Sequence, residues 1–415
     1  MIDPRAMALV RRAGPSFLTF IAGTGALFAA DVLIGRELPE EMVADWATLK
    51  SVMMPLAALA VFGLDQMVVR EPSKWKLVRW PSLLTMAILV IAGSILLVAT
   101  GFYNRLDILV ATAALMAICN LYFGLFRADL HFGWAQIARD GWKVLFLIGV
   151  LLAVWGMLFP IGTLLLIALG AGALLSVLAH ALTERPKVRE IFDEVSGFPS
   201  ALRVSWPFAL VSIALAIATY GEVAIINALG AREIVAEYFV TILCFVSAIN
   251  ICNTFLSTFL GSMARQHPER TIAWYDRGIG FAKRHWYALP FAMLALPALT
   301  FLAGFIVHAI LFAGHDLEIR WAILMAITAG TRLLYTFVSI IIGALGDSAL
   351  ITGTAVQYFA LSLLFPVLAF SLGTYFLEAG TAVALAACLH WLARSAVGLR
   401  AARTVAGRYR QVEPA

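Results

Sequence analysis

Apolar residues along this chain are gathered into runs of about 20, separated by shorter polar segments. A helix rises about 1.5 Å per residue, so such a run matches the hydrocarbon thickness of a bilayer. The alternating segments typical of a membrane β-barrel do not appear. The pattern predicts an all-α integral membrane protein with twelve spans at 16–35, 47–69, 82–101, 108–126, 137–156, 160–180, 205–229, 236–262, 287–312, 321–345, 350–371 and 379–399.

The composition supports the same class of protein. Of the 415 residues, 62% are hydrophobic and 13% are charged, whereas an average soluble domain carries roughly 25% charged residues. A water-soluble fold could not cover this much apolar surface. Four cysteines lie inside predicted spans and are interpreted as small apolar residues rather than as a disulfide set: Cys119, Cys244, Cys252 and Cys388.

The distribution of basic residues predicts the orientation. With the N-terminus in the cytoplasm, 24 lysines and arginines fall in inner segments and span ends, and four fall in outer segments. This asymmetry follows the positive-inside rule and accounts for the basic pI near 9.1. The sequence therefore predicts a bacterial inner-membrane protein with both termini in the cytoplasm. The long inner loops 181–204 and 263–286 are amphipathic, which suits either a helix lying on the cytoplasmic leaflet or an ordinary solvated loop.

An internal repeat predicts two lobes. Residues 41–46 (EMVADW) resemble residues 233–238 (EIVAEY), and Asp31 corresponds to Glu222 at nearly the same offset. Six predicted spans separate the copies, so both have the same orientation in the membrane. The repeat predicts two six-helix lobes, 1–200 and 201–415, related by an axis along the membrane normal.

The motifs of common enzymes are missing from the sequence. There is no Gly-x-x-x-x-Gly-Lys-Ser/Thr phosphate-binding loop, no histidine or cysteine spacing typical of a metal site and no Ser/His/Asp or Cys/His set. We therefore predict no catalytic residue, no cofactor, no metal and no nucleic-acid partner. The composition and these absences favour a transporter over an enzyme.

Two charged residues lie deep in predicted spans, where charge is costly and usually functional. Arg332 is about eleven residues into the tenth span, roughly 16 Å deep and near the bilayer midplane. It is predicted to contact an anionic substrate in a cavity between the lobes; the alternative is a structural ion pair with Glu222. Glu222 is itself a candidate proton- or cation-coupling carboxylate, because burial raises the pKa of a carboxyl group.

Three further charges are also candidates. Asp31 and Lys50 lie at similar depth on consecutive spans, which favours a structural pair between them, although Asp31 is also a candidate coupling residue as the counterpart of Glu222. Asp65, near the inner end of the second span, is predicted to pair with a neighbouring basic residue such as Arg70.

Three asparagines inside spans complete the candidate set. Asn120 lies in the fourth span, and Asn250 and Asn253 lie about one turn apart in the eighth. Polar residues of this kind most often bond one helix to another. Contact with the substrate is the alternative role, and it makes them candidate substrate-binding residues beside Arg332.

Two segments carry a resemblance to a known family. Residues 33–41 read LIGRELPEE, and residues 62–70 at the end of the second span read FGLDQMVVR. A short outer turn with basic, proline and acidic residues, followed by a Gly-Leu-Asp element and a closing arginine, resembles the start of polysaccharide flippases. Residues 228–233, ALGARE, resemble the seventh-span region of the same proteins. The chain is thus similar to the oligosaccharide flippase branch of the multidrug/oligosaccharidyl-lipid/polysaccharide superfamily.

The resemblance implies a fold and a function. The fold is that of the MATE exporters, and the function is to move a polyprenyl-diphosphate-linked oligosaccharide from the cytoplasmic to the periplasmic leaflet by alternating access. The implied partners are this substrate, membrane lipids, a polysaccharide polymerase and glycosyltransferases. Two alternatives stay open: a cation-coupled drug exporter of the same fold, and a non-transporting scaffold of a polysaccharide assembly complex.

Overall fold

The computed structural model describes residues 4–412 apart from 71–78, 130, 157–158, 184–193, 248, 252, 254–255, 257–263 and 265–266. In this part of the chain all regular structure is helical, which confirms the predicted all-α class. The α-helices are α1 (Pro4–Glu37), α2 (Glu40–Val61), α3 (Leu64–Arg70), α4 (Arg79–Ala99), α5 (Leu106–Ala128), α6 (Phe132–Val154), α7 (Ile161–Thr183), α8 (Glu194–Ala228), α9 (Val235–Ile242), α10 (Pro268–Arg284), α11 (Leu289–Leu311), α12 (Ile319–Leu345), α13 (Ser348–Tyr375) and α14 (Ala379–Val412).

The described residues of the predicted spans lie mostly on helices. Ten helical segments are long and apolar enough to cross a membrane. Two more, α2 and α6, are 22 and 23 residues long but contain charged side chains, including Lys50 and Asp140. With these two the count fits the twelve predicted spans. Part of the eighth predicted span, and residues 184–193 of the first long inner loop, lie outside the described residues.

The second predicted span is divided into two helices, where the sequence predicts one continuous helix over 47–69. The break is at Phe62 and Gly63, whose φ angles are 50° and 70°. A side chain at Gly63 would also place its Cβ 2.5 Å from the carbonyl oxygen of Ser205 on α8. Glycine is therefore required here both by the left-handed backbone and by the close approach of a neighbouring helix. The Gly-Leu-Asp element of the resemblance is this break.

The helices form two compact units, Met1–Ala236 and Glu237–Ala415. Within the first unit, α1 packs along α6, and α2 packs along α8. Within the second unit, α14 packs against both α12 and α13. This boundary follows packing, whereas the predicted lobes 1–200 and 201–415 follow internal symmetry, and that division stays a prediction.

Helices within the second unit differ in what they expose. Helix α11 exposes large apolar side chains such as Phe291, Leu294 and Ile310, as expected of a helix that faces lipid. In contrast, α12 buries most of its surface, including the polar residues Thr328, Thr331 and Arg332. Polar groups in a lipid environment need an interior, so α12 and its neighbour α14 are where a site in this unit is expected.

Candidate functional site

Polar contacts join α12 and α14 at both ends and show that the two helices run in the same direction. At one end, Trp321 Nε1 donates to Glu378 Oε1 at 3.0 Å and lies 3.2 Å from Thr381 Oγ1. At the other end, Arg408 of α14 forms an ion pair with Asp347, which follows α12. The middles of the two helices therefore face each other in a defined alignment.

Arg332 lies at the middle of this helix pair. It is the central residue of the 27-residue α12, so it is about 20 Å from either end at 1.5 Å per residue. The side chain is buried, with 4% of the residue exposed. Its guanidinium carbon lies 4.4 Å from the centre of the Trp391 ring on α14, which is cation–π geometry. The predicted depth of Arg332 therefore agrees with its central position in the helix.

A second buried arginine, Arg394, lies beside the same tryptophan. Its guanidinium carbon is 4.2 Å from the Tyr358 ring centre, 5.1 Å from that of Tyr335 and 5.5 Å from that of Trp391. The residue is fully buried, and within the described residues none of its three guanidinium nitrogens has a hydrogen-bond partner. Arg394 is one of the 24 basic residues that the predicted topology places in inner segments and span ends, and the structure shows that its side chain is buried inside the second unit.

The signal that could have identified Arg394 is its spacing. It follows Trp391 by three residues and so lies on the same face of α14. The last predicted span ends at residue 399, and the basic residues near that end are among those that predict orientation. Helix α14 continues to Val412, so Arg394 lies well inside it.

Arg332, Arg394, Tyr335, Tyr358 and Trp391 form one group, here called the arginine–aromatic cluster. The Tyr335 ring packs edge-on against Tyr358 and Trp391, with centroid distances of 5.7 and 5.5 Å. Two cations thus pack against the same group of aromatic rings. Among the described residues no carboxylate forms an ion pair with Arg394. In a low-dielectric interior this arrangement favours an anion.

In the first unit, Asp31 is buried but has partners. Its Oδ2 lies 2.5 Å from Lys50 Nζ, and its Oδ1 accepts a 2.8 Å hydrogen bond from Trp46 Nε1. Lys50 and Asp31 thus form the ion pair that the sequence predicts. With both carboxylate oxygens engaged, the coupling role suggested for Asp31 stays a prediction.

A second buried acid in the first unit, Asp140 of α6, was not a candidate. It is fully buried, with Arg139 Nη2 at 3.0 Å and Lys143 Nζ at 2.5 Å. It packs against Gly23 of α1, where a Cβ added to the glycine would lie 2.4 Å from the Cβ of Asp140. The run Arg-Asp-Gly-Trp-Lys at 139–143 places this acid between two basic residues, a pattern that could have identified it. The two basic residues of the run contributed to the predicted orientation.

The other candidate acids are in the first unit as well. Glu222 is buried in α8, with 3% of the residue exposed. Asp65 is the second residue of α3, and its Oδ2 accepts a 2.9 Å hydrogen bond from Gln66 Nε2. The side chain of Arg70, its predicted partner, lies outside the described residues. The coupling role of Glu222 and the pairing of Asp65 stay predictions.

The three candidate asparagines are divided between the units. Asn120 is half-buried on α5 in the first unit. Asn250 and Asn253 follow a π-helical turn, Leu243–Ser247, in the second unit. The Oδ1 of Asn253 is buried without a hydrogen-bond donor among the described residues. Their substrate contacts stay predictions.

Other chemistry is sparse in the described part of the chain. It contains no group of three or more histidine, cysteine or acidic side chains placed to hold a metal. Three of the cysteines are buried and unpaired, namely Cys119, Cys244 and Cys388. Cys252 lies outside the described residues.

Comparison with solved structures identifies the fold. The inward-facing conformation of a multidrug resistance MATE family transporter of the MOP superfamily matches with a TM-score of 0.66 and 16% identity, over 94% of this chain and 96% of that one. An outward-facing conformation of such a transporter gives 0.57 and 14%, over 98% and 97%. A MATE structure in the bent conformation gives 0.53 and 14%, over 98% and 96%.

The predicted MATE-like fold is thereby confirmed over nearly the whole chain. No family model and no curated protein matches the sequence. At these identities the likeness concerns the fold alone.

Proposed function

We propose that this protein is an alternating-access transporter that moves a polyprenyl-diphosphate-linked oligosaccharide from the cytoplasmic to the periplasmic leaflet. The observation that carries the proposal is the arginine–aromatic cluster in the second unit. It holds two buried cations, of which Arg394 has no hydrogen-bond partner among the described residues. A diphosphate would supply the missing negative charge.

The chemistry of the cluster suits this substrate class. A lipid-linked glycan carries an anionic diphosphate and polar sugars that cannot cross hydrocarbon unaided. A guanidinium can bind phosphate oxygens through two parallel hydrogen bonds, which an ammonium cannot reproduce. The aromatic rings of Tyr335, Tyr358 and Trp391 hold the two arginines in place without neutralising their charge. The Arg394 guanidinium, which has no hydrogen-bond partner among the described residues, thus remains available for an anion.

The transport step is inferred from the fold. Similar solved structures are described as inward-facing and outward-facing conformations of MATE family transporters. The same pair of states would let this chain receive the glycan head at one leaflet and release it at the other, while the polyprenyl tail stays in lipid. Because the sequence has no phosphate-binding loop for ATP, the energy would come from an ion gradient or from the substrate's own gradient.

A cation-coupled drug exporter is the second candidate. It is favoured by the description of the similar structures as multidrug resistance transporters. Drug substrates of a cation-coupled exporter are expected to be organic cations bound by acidic and aromatic residues. Arg332 and Arg394 would repel such a substrate, so the arginine–aromatic cluster favours the flippase.

Substitution of Arg332 tests the proposal. Arg332→Ala should leave the protein inserted and folded but reduce transport of a lipid-linked oligosaccharide in proteoliposomes by about tenfold to a hundredfold, the equivalent of one charge-assisted hydrogen bond. Arg332→Lys should restore only part of it. Arg320→Ala, an exposed arginine of the same helix, is the matched control.

A structural role for Arg332 gives a different result. In that case Arg332→Ala lowers the melting temperature in detergent, and the double change Arg332→Ala, Glu222→Ala restores it. Normal oligosaccharide transport by Arg332→Ala at normal protein level would remove the substrate role. Export of cationic dyes in place of the glycan would favour the drug exporter.

A further inference from the structure

Helix α10, between the eighth and ninth spans, has one face fixed to the second unit. Ile272 is buried, and Tyr275 packs against the apolar cluster around Ile341. Asp276 Oδ2 accepts a 3.1 Å hydrogen bond from Arg410 Nε of α14. These contacts fix which face of α10 packs against the second unit, and so they also fix which residues lie on the opposite face.

That opposite face alternates basic and aromatic side chains. Its residues follow one another at spacings of four, three, four and three, so they form a single stripe on the helix, and all five are exposed: Arg270, Trp274, Arg277, Phe281 and Arg284. Trp274 and Phe281 are 67% and 68% exposed. The acids of this helix point elsewhere, because Asp276 pairs with Arg410 and Glu269 lies 3.7 Å from His267. We call these five residues the basic–aromatic stripe.

The position of α10 along the chain places one of its ends near the membrane boundary. It ends at Arg284, and the lipid-facing helix α11 begins at Leu289. The four residues between them can extend over at most about 14 Å. Two of these connecting residues, Trp286 and Tyr287, are themselves exposed. Exposed tryptophan and tyrosine next to a span are typical of the lipid–water interface.

We propose that the basic–aromatic stripe binds the anionic phospholipid headgroups of the adjacent leaflet. The three arginines complement headgroup phosphates, and the two aromatic rings can enter the headgroup region, where their apolar surface leaves water. A soluble acidic protein would match the arginines, but it would not account for the aromatic residues beside the start of a span. The inference does not depend on what the protein transports.

Lipid binding by the full-length protein tests the inference. The protein is reconstituted into nanodiscs of phosphatidylcholine alone or with phosphatidylglycerol, and hydrogen–deuterium exchange of α10 is measured. Exchange should be slower with phosphatidylglycerol. In native mass spectrometry, the variant R270Q/R277Q/R284Q should bind phosphatidylglycerol at least about tenfold more weakly, since each arginine near an anionic surface contributes about a factor of five.

The control variant R105Q/R320Q removes two exposed arginines that lie outside α10 and should bind phosphatidylglycerol as the wild type does. Equal binding by the stripe variant and the wild type would overturn the inference. So would exchange of α10 that is the same with and without phosphatidylglycerol. In W274A/F281A, which keeps the charges, phosphatidylglycerol should slow exchange of α10 less than it does in the wild type. An equal slowing in the two proteins would exclude a contribution from the aromatic residues.

Discussion

Asp31 and Asp140 of the first unit are buried against lysine and arginine side chains, whereas Arg394 of the second unit is buried against aromatic rings. The first arrangement is complete, because each carboxylate oxygen has a donor. The second leaves three guanidinium nitrogens without an acceptor among the described residues.

The difference distinguishes buried charges that have a structural role from buried charges that can bind a ligand. A buried ion pair with satisfied partners contributes little net stability, yet removal of one partner is costly because the other charge stays uncompensated. An unsatisfied buried cation is already in that costly state. Such a cost is expected to persist where binding of an anion offsets it. Substitutions should therefore have opposite effects in the two units.

The largest effect is expected at Asp140. Asp140→Ala leaves Arg139 and Lys143 without their shared carboxylate in a tightly packed contact with α1, so it should lower the free energy of unfolding by about 3–5 kcal/mol. Denaturant unfolding in detergent micelles measures this change. Asp107→Ala, an exposed acid paired with Arg105, is the control and should change little. Equal, small effects of the two substitutions would contradict a structural role for Asp140.

A smaller effect that can be reversed is expected at Asp31 and Lys50. Lys50→Met alone should destabilise the protein by about 3 kcal/mol, because it leaves Asp31 buried with Trp46 as its remaining donor. Adding Asp31→Asn should recover at least half of the loss, since the buried negative charge is then gone. The same unfolding assay on the two single variants and the double variant gives the coupling energy. Strict additivity of the two substitutions would refute the pair.

At Arg394 the change in stability is expected to have the opposite sign from that at Asp140. Arg394→Met replaces an unsatisfied guanidinium by an apolar side chain of similar length, so stability should be unchanged or higher by about 1 kcal/mol. Transport of the lipid-linked oligosaccharide should nevertheless fall at least about tenfold. Unfolding and proteoliposome transport are measured on the same preparation. A loss of stability as large as that expected for Asp140→Ala would place Arg394 with the structural charges and remove it from the site.

The sequence alone predicts the fold well, because hydrocarbon thickness dictates the length of a span. For this reason the described residues of the predicted spans lie mostly on helices. The predicted orientation stays a prediction. The break at Phe62 and Gly63 was not predicted, since it depends on the approach of α8, a helix far along the chain. Span length can be counted along a sequence, whereas backbone contacts between distant helices cannot.

The candidate site was predicted only in part for the same reason. Arg332 is isolated in an apolar run, so its depth was evident from the sequence. Arg394 and Asp140 lie near predicted span ends among other charges, where a buried residue and a cytoplasmic one have the same local pattern. Only packing distinguishes them: Tyr335 and Tyr358 enclose Arg394, and the contact at Gly23 encloses Asp140.

The smallest effect is expected at Glu318, an exposed acid that precedes α12. Hydrogen bonds from Arg320 lower the pKa of its carboxyl group, so its contribution to stability is present above the unfolded-state pKa of about 4.3 and is lost as the pH falls through the lower folded-state value. Glu318→Gln should therefore lower the melting temperature slightly near neutral pH, and the difference from the wild type should disappear as the pH falls below the folded-state pKa of Glu318. Added salt should remove the neutral-pH difference, because the pair is exposed and screened. The same salt should leave the effect of Asp140→Ala intact, since that carboxylate is fully buried. A salt response as strong for Asp140→Ala as for Glu318→Gln would mean that water reaches both acids, and the contrast between buried and exposed charge would fail in the first unit.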